Sequence, residues 1–436
     1  MRSPRSLSIP AAALVLSCVA SGAQAQSSAE IAELKAQLAA LQARVEQLEK
    51  QQQVQQDTQD RTTDVLAQTR SSIGDWVGRF QWKGDLRYRN ETIDQEFAAR
   101  ERNRDRIRLR AGFVARVNDK LRTEVMVATT ENGDARSSNQ TLTNVNSRKS
   151  LDVDLAYAQW QPNEQWTATF GKMRYPWYTT SSFFFDKDVN PEGVGISWKQ
   201  GAAGLFANAF YTHLAERSAQ ADSNMAGAQI GWRGDLTGTT RLTLAAGYFD
   251  HNAVQGYNTV QDGNVAGSSF SAFGNSTSTT CRRGIAACIA NDFNIIELSA
   301  ELTTRLAGRP FSLFTDYARN TEADFGETPG LDTAWAAGFT WGRVSGARTW
   351  EIGYIHQVTE KDALFGQWID SDFAAGMTDG IGGAIRVGYG FGRNFRINGT
   401  YYLTRTNVDV PTTLPGLGPV TERDYRRLQL DLNMSF

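Results

Sequence analysis

The sequence predicts an all-β fold: a 16-stranded antiparallel transmembrane β-barrel preceded by a short periplasmic α-helical coiled coil. Segments of about ten residues alternate apolar and polar side chains, and the links between them alternate between short and long, as in membrane barrels. Beyond residues 1–25, no run of about 18 apolar residues could form a membrane helix. The final segment shows the alternation best. Leu428, Leu430, Leu432, Met434 and Phe436 lie between polar neighbours, so one face suits lipid and the other suits water.

Residues 1–25 predict a secretory signal peptide. Arg2 and Arg5 precede an apolar run, and Ala23-Gln24-Ala25 matches the small-residue cleavage site that ends such signals. A lipoprotein signal is the alternative because Cys18 also follows the apolar run, but Val15-Leu16-Ser17 match that pattern poorly. The mature chain is therefore expected to be exported.

Residues 26–70 predict a periplasmic coiled coil followed by a Gln-rich linker. Apolar residues recur at alternating spacings of three and four, with Ile or Val at position a and Leu at position d: Ile31, Leu34, Leu38, Leu41, Val45 and Leu48. The alternative is an amphipathic helix that lies on its own domain. The Gln-rich stretch is either a polar helix or a linker. By residue preference the coiled coil favours a dimer.

Residues 71–436 predict the barrel. Short links are expected near 118–120, 162–164, 200–201, 234–236, 307–308, 345–346 and 392–394, and long polar links near 91–103, 132–149, 174–191, 214–223, 251–291, 320–331, 360–378 and 408–420. Short links form periplasmic turns and long links form extracellular loops. A soluble β-sandwich would not require this alternation. Sixteen strands are expected to enclose a water-filled lumen rather than a packed core.

The pore-lining residues predicted to attract anions are basic and come from neighbouring strands at the barrel seam. They are Lys83, Arg87, Arg89, Arg106, Arg108, Arg110, Arg116, Arg122 and Arg427. Alternate arginines on one strand lie about 7 Å apart on the same face. The sequence therefore predicts a basic wall that faces the channel.

Acidic residues are expected elsewhere in the lumen. The lumen acids are Asp152, Asp154, Glu297 and Glu301, and the constriction loop is expected to contribute Tyr175, Trp177, Asp186 and Asp188. A loop with so many aromatic residues is expected to fold into the barrel, where Asp186 and Asp188 would lie opposite the basic wall. The alternative is that Asp152, Glu101 and Asp105 neutralise the arginines and leave the pore with weak preference.

Cys281 and Cys288 lie in the longest link and are expected to form a disulfide in an oxidising compartment. A metal site is the weaker interpretation because no His or third Cys lies nearby. Each of the histidines, His213, His251 and His356, is expected at the interface or against lipid. An outer-membrane lipase remains the enzymatic alternative through His356, but no serine or acid can be assigned to it. The net charge of −2 does not suggest a nucleic-acid partner.

Several short motifs resemble porins of Gram-negative outer membranes, in particular the family called putative porins. They are Gly171-Lys172-Met173-Arg174-Tyr175-Pro176-Trp177, Asp186-Lys187-Asp188-Val189-Asn190-Pro191-Glu192-Gly193, Asp316-Tyr317-Ala318-Arg319-Asn320 and Asp370-Ser371-Asp372-Phe373. The first is also similar to phosphate- and polyphosphate-selective porins, although this sequence lacks their dense lysine cluster.

The resemblance implies a homotrimer in the outer membrane that lets small hydrophilic solutes diffuse passively, with no reaction and no cofactor. The expected partners are membrane lipid, further copies of the chain and, for the coiled coil, peptidoglycan. The functional alternative is a periplasmic tether that the barrel only anchors. A dimer from the heptad pattern and a trimer from the resemblance both stay open.

Overall fold

The computed structural model describes residues 28–131, 133–143, 145–258, 271–282, 287–324 and 330–436. The predicted signal peptide lies outside them. The chain divides into one unit that ends at Val77 and a barrel unit, Gly78–Phe436. One α-helix, α1 (Ser28–Gly78), covers the described part of the first unit and ends one residue beyond it, so the Gln-rich stretch continues the helix. No helix in these ranges has the length and apolarity that a membrane span requires.

The barrel unit contains the sixteen predicted strands, which confirms the fold. They are β1 (Phe80–Gln95), β2 (Arg102–Arg116), β3 (Leu121–Thr130), β4 (Ser150–Trp160), β5 (Trp166–Lys172), β6 (Glu192–Lys199), β7 (Gly204–Ala215), β8 (Ser223–Thr237), β9 (Thr240–Asn252), β10 (Phe293–Leu306), β11 (Arg309–Asn320), β12 (Thr333–Gly342), β13 (Trp350–Thr359), β14 (Gly380–Gly390), β15 (Phe395–Thr406) and β16 (Arg423–Ser435). Short strand pairs occur inside the longer connections.

Every strand pairs antiparallel with its neighbours in the chain, and β16 pairs with β1, so the sheet closes. Closure leaves no unpaired edge, which a sheet in lipid could not tolerate. At the seam, Phe436 exchanges backbone hydrogen bonds with Gly84 (2.9 and 3.0 Å). A Cβ at Gly84 would collide with the Phe436 ring and the carbonyl oxygen of Arg110. Glycine is therefore required where the last residue closes the barrel.

The connections alternate between short and long as predicted, with one change. Strands β1 and β2 extend further than the sequence suggests, so the first long link shrinks to residues 96–101. The other long connections include loop 2 (131–149), loop 3 (173–191), loop 5 (253–292) and loop 7 (360–379). These four loops supply the groups that enter the barrel.

Side chains alternate between the outer face and the lumen along each strand, except where a β-bulge intervenes. On β4, Leu155 pairs with Met126 while Val153 pairs with Val127, so Asp154 is the extra residue of a bulge. A bulge changes which face the following residues occupy. Strict alternation after Asp154 would put Leu155 on the outer face, but its side chain is buried inside (1 % exposed).

Candidate functional site

The arginine wall is the basic surface formed by inward side chains of three neighbouring strands. It consists of Arg427 on β16, Arg87 and Arg89 on β1, and Arg104, Arg106, Arg108 and Arg110 on β2. The register places Arg87 opposite Arg108 and Arg89 opposite Arg106. Because like charges directly opposite each other destabilise a sheet, this wall needs counter-charges.

Carboxylates on the same strands supply part of that counter-charge. Asp85 accepts hydrogen bonds from Arg108, with Nη2 to Oδ1 at 2.6 Å. Asp431 accepts from Arg89, with Nε to Oδ1 at 2.6 Å. Both pairs join residues on adjacent strands, so the sheet itself holds them in place.

A third strand carboxylate, Glu91, is fully buried and pairs with Arg427 and Arg104. The buried Glu91 carboxylate is tolerated here because the positive charges of Arg427 and Arg104 compensate it. Asp105, one of the acids expected to neutralise the wall, faces outward instead and accepts from Asn90 Nδ2 (2.9 Å). The wall is therefore an ion-paired network that uses different acids from those the sequence suggested.

The aromatic residues of loop 3 hold that loop inside the barrel. Trp177 is buried (5 % exposed) and stacks on Phe210 of β7, with ring centroids 4.3 Å apart. Tyr175 packs on Trp177 (4.8 Å) and donates from Oη to the carbonyl oxygen of Asp186 (2.9 Å). The loop folds inward as predicted, with these two rings as anchors.

The acids of loop 3 also act as anchors and do not face open water. Asp188 accepts from Arg110 (Nη2 to Oδ1, 2.6 Å) and from the backbone N–H of Ser138 (3.0 Å). Asp186 accepts the backbone N–H groups of Asp188 and Ser371, both at 2.8 Å. The sequence placed both acids across the pore from the basic wall, whereas Asp188 directly contacts that wall.

Loop 7 meets loop 3 inside the barrel through backbone hydrogen bonds. The N–H of Asp186 donates to the carbonyl oxygen of Trp368 (2.7 Å), and the N–H of Asp370 donates to that of Phe183 (3.2 Å). We call this contact the loop joint. Sequence reasoning missed it because loops 3 and 7 are far apart in the chain.

The loop joint changes the protonation of its carboxyl groups. Burial raises the pKa of Asp186 well above its usual range, and the nearby Asp370 carboxylate adds to the shift. Burial, with the Asp372 charge, raises the pKa of Asp370 to about 6. Burial opposes the charge of Asp188, but Arg110 outweighs burial and holds the pKa of Asp188 below its usual range. The joint therefore favours neutral Asp186 and Asp370, whereas Asp188 at the arginine wall stays ionised.

Across the barrel from the arginine wall lies an apolar wall. Its inward side chains come from β7 to β12: Phe210, Met225, Phe249, Phe293, Ile295, Ala318, Ala334 and Ala336. Residues of loops 3, 5 and 7 pack against it, including Phe184, Ile289 and Phe365. The expectation of an entirely water-filled lumen is therefore wrong, because part of the interior is a packed core made by inward loops.

The predicted acids on β4 face the lumen beside loop 3. The side chain of Asp154 accepts from Asn190 Nδ2 (2.7 Å), and its Oδ2 lies 3.5 Å from Arg110 Nε. Asp152 lines a cavity of about 290 Å³ that Asp154 and Asp188 also line. Asp154 therefore lies at the arginine wall with Asp152 nearby, whereas the sequence placed both acids elsewhere in the lumen.

The predicted acids on β10 lie on the apolar side of the barrel. Glu301 accepts a hydrogen bond from Tyr178 Oη of loop 3 (2.6 Å). Glu297 is buried (3 % exposed), and its Oε2 has no hydrogen-bond partner in the part of the chain that the structure describes. Glu301 thus helps to position loop 3, while Glu297 is covered by the packed interior.

Three predicted basic residues lie towards the turn side of the lumen. Lys83 pairs with Glu124 of β3 (Nζ to Oε1, 2.6 Å), which Arg174 also contacts (2.9 Å). Arg122 donates to the Gln159 side chain, and Arg116 is exposed at the end of β2. These residues contribute charge near the turns and are not part of the arginine wall.

Sequence reasoning missed four further cations on the turn side. Lys187 is exposed on loop 3, and Arg233, Arg386 and Arg396 have inward positions on β8, β14 and β15. Within the described residues, none of these three arginines forms an ion pair. Their alternation with apolar residues, as in Ile385-Arg386-Val387, was the available signal.

Cys281 and Cys288 form a disulfide in loop 5. His213 and His356 occupy outward positions, whereas His251 points inward, is buried, and lies 2.9 Å from the carbonyl oxygen of Phe293 through Nδ1. The interfacial placement of His251 is therefore wrong. No cluster of His, Cys, Asp or Glu in the described ranges is arranged to hold a metal ion.

Comparisons with known proteins identify a family and several solved structures to which the chain is similar. The family model described as "Putative porin" matches residues 95–436. OprB of Pseudomonas putida, in its high-pH structure, is 11% identical, with a TM-score of 0.52 over 84% of this chain and 96% of that one. Salmonella typhi OmpF in complex with daunomycin is 13% identical, with a TM-score of 0.47 over 82% and 97%.

The trimer form of Vibrio cholerae OmpT is 14% identical, with a TM-score of 0.46 over 82% of this chain and 99% of that one. No curated protein sequence matches the chain.

Proposed function

Because the chain belongs to the putative porin family, we propose that it is a passive diffusion channel for small hydrophilic solutes and ions, with a preference for anions. The family and the fold are those of an outer-membrane channel and not of an enzyme. The finer proposal concerns which charge the channel favours.

The observation that supports anion preference is the charge on the turn side of the lumen. The arginine wall is largely paired, but Lys187, Arg386, Arg396 and Arg233 add positive charge without an acid bound to the arginines in the described chain. A surface of one sign inside a low-dielectric barrel concentrates ions of the opposite sign. Anions should therefore be enriched where a solute passes loop 3.

The test is the reversal potential of purified protein in a planar bilayer with a KCl gradient. We expect the sign that corresponds to chloride preference, and Arg386→Gln and Lys187→Gln should each reduce it. Arg405→Gln is the matched control because Arg405 pairs with Glu422 on the outer face (2.7 Å). Cation preference in the wild type would contradict the proposal.

The proposed assembly is a homotrimer, with α1 as a periplasmic coiled coil. Leu38, Leu41, Val45 and Leu48 are 49–64 % exposed along one stripe of the helix, so the helix leaves its predicted seam uncovered. Such a stripe is buried when helices associate. The alternative roles of α1 are contact with peptidoglycan and tethering.

Deleting residues 26–70 tests these duties. If the helix drives assembly, the truncated protein should become monomeric by mass in detergent while its single-channel conductance persists. A truncated trimer that loses only its co-sedimentation with peptidoglycan would instead assign the helix to tethering.

A further inference from the structure

Loop 7 delivers one carboxylate to the arginine wall from a different part of the barrel. Asp372 pairs with Arg427 (Nη2 to Oδ1, 2.7 Å) and with Arg89 (Nη1 to Oδ2, 3.2 Å). Loop 7 joins β13 to β14, so Asp372 reaches past β15 to contact β16 and β1. The other acids bound to Arg427 and Arg89 are Glu91 and Asp431, which belong to the wall itself.

The wall lacks enough strand carboxylates to balance its arginines. Four arginines share only two of them: Arg87 and Arg89 contact Asp431, and Arg104 and Arg427 contact Glu91. Four guanidinium charges and two carboxylate charges leave a net charge of +2 in this group, and the Asp372 carboxylate lowers it to +1. A single loop residue thus controls half of the unmatched charge in this group.

The backbone around Asp372 is held in one conformation. A side-chain oxygen of Asp370 accepts the N–H groups of Asp372 and Phe373, both at 2.9 Å. The next residues, Ala374 and Ala375, have φ values of 44° and 58°. Non-glycine residues keep such left-handed backbone only where the surroundings fix it.

A clamp from loop 2 supplies part of that fixation. Arg136 Nη1 donates to the carbonyl oxygens of Gly366 (3.2 Å) and Gly376 (2.8 Å), on either side of Asp372. Its guanidinium carbon lies 3.7 Å from the ring centroid of Phe273 in loop 5. Three loops therefore meet at Arg136, which positions loop 7 against the arginine wall.

We propose that Asp372 limits the anion preference of the channel, because it covers two guanidinium groups that would otherwise face the permeating ion. This inference rests on the proposed function, since it requires that ions pass the arginine wall. It also gives loop 7 a part in balancing the arginine wall, a role for which sequence reasoning considered only loop 3 among the loops that fold inward.

The test compares Asp372→Asn with the wild type by reversal potential in a KCl gradient. Asparagine keeps the shape and the hydrogen-bonding oxygen but removes one negative charge. We expect the chloride-to-potassium permeability ratio to rise about twofold or more at low salt, because one more positive charge then faces the lumen. Raising the salt concentration should shrink the difference.

Two further variants control the comparison. Asp372→Glu restores the charge and should return the ratio towards the wild-type value, which a purely steric role of the loop would not do. Glu422→Gln removes one negative charge from the outer face, where Glu422 pairs with exposed Arg405, and should leave the ratio unchanged. Heat-modifiable mobility in gels checks that each variant contains a folded barrel.

The outcomes separate this inference from the proposed function. A wild type that conducts no ions would overturn the channel itself. A conducting wild type with an unchanged ratio in folded Asp372→Asn would overturn the role of Asp372 alone. A variant whose conductance changes equally for both ions would show that loop 7 only narrows the pore, which also contradicts the inference.

Discussion

On one side of the barrel, loops 3, 5 and 7 pack against the apolar wall, and loops 3 and 7 do so through the buried rings of Trp177, Phe184 and Phe365. On the other side, loops 3 and 7 reach the arginine wall through Asp188 and Asp372. Apolar burial is insensitive to salt and depends on contact area. Ion pairs depend on charge, and a missing partner leaves a buried charge uncompensated. We infer that the apolar side fixes where the loops lie, whereas the arginine side determines the charge that the lumen presents.

The largest effect is expected on the apolar side. Trp177→Ala removes a buried ring that stacks on Phe210 and should destabilise the folded barrel by about 4 kcal/mol. Because loop 3 loses its anchor, single-channel conductance should also rise. Thermal unfolding in detergent, followed by circular dichroism, measures the first effect, and bilayer recording measures the second.

Trp177→Phe is the matched control for that substitution. The indole Nε1 of Trp177 has no hydrogen-bond partner among the described residues, so phenylalanine loses ring area but no hydrogen bond there. We expect the free energy of unfolding to fall by less than about 1.5 kcal/mol and the single-channel conductance to stay nearly normal. Equal losses in both variants would show that the site tolerates no change of shape, and that ring burial is not the cause.

A somewhat smaller effect is expected at the arginine wall. Glu91→Gln leaves buried Arg427 and half-buried Arg104 without a shared carboxylate and should lower the free energy of unfolding by about 3 kcal/mol in the same measurement. Glu422→Gln breaks an exposed pair with Arg405 and should cost less than about 1 kcal/mol. If the two substitutions cost the same, the wall would not depend on buried pairing, and the contrast between the two sides would fail.

The strands were predictable because the alternation of apolar and polar side chains is a local pattern, and lipid requires apolar side chains on the outer face. Where prediction failed, a nonlocal contact decided the structure. Leu155 lies inside because of a bulge at Asp154, and the residue composition does not show where a strand contains one extra residue. Asp372 meets Arg89 across 283 residues of sequence, and no spacing rule connects them.

One missed feature did leave a signal. Ile295 and Ile296 are adjacent and point to opposite faces of β10, so both faces of that strand are apolar there. A strand that faces lipid on one side and water on the other should be polar on its inner face. Phe249 and Phe293 repeat the exception on inward positions. Apolar residues on the inner face therefore indicated that loops cover this wall, which the count of strands alone could not show.

The smallest expected effect lies where the two sides meet, at the loop joint. Asp370 lies between loop 3 and the arginine wall, with Asp186 and Asp372 as neighbouring acids. Burial and the Asp372 charge raise its pKa to about 6, although Arg427 acts in the opposite direction. A joint that raises the pKa of an acid binds the proton more tightly than the separated loops do. The joint should therefore be most stable below about pH 4 and should weaken as the pH rises through about 6.

Single-channel recordings between pH 4 and pH 8 test that direction. Open-channel noise and conductance should increase as the pH rises through about 6, because the buried Asp370 carboxyl group then ionises beside the Asp372 charge and loosens loop 7. Asp370→Asn keeps an oxygen for the N–H groups of Asp372 and Phe373 but does not titrate, so this step should disappear. A step that survives in the variant would place the titrating group outside the joint. A step of the opposite sign would mean that the joint favours ionised Asp370. Charge would then stabilise the loops at the joint as well as at the arginine wall.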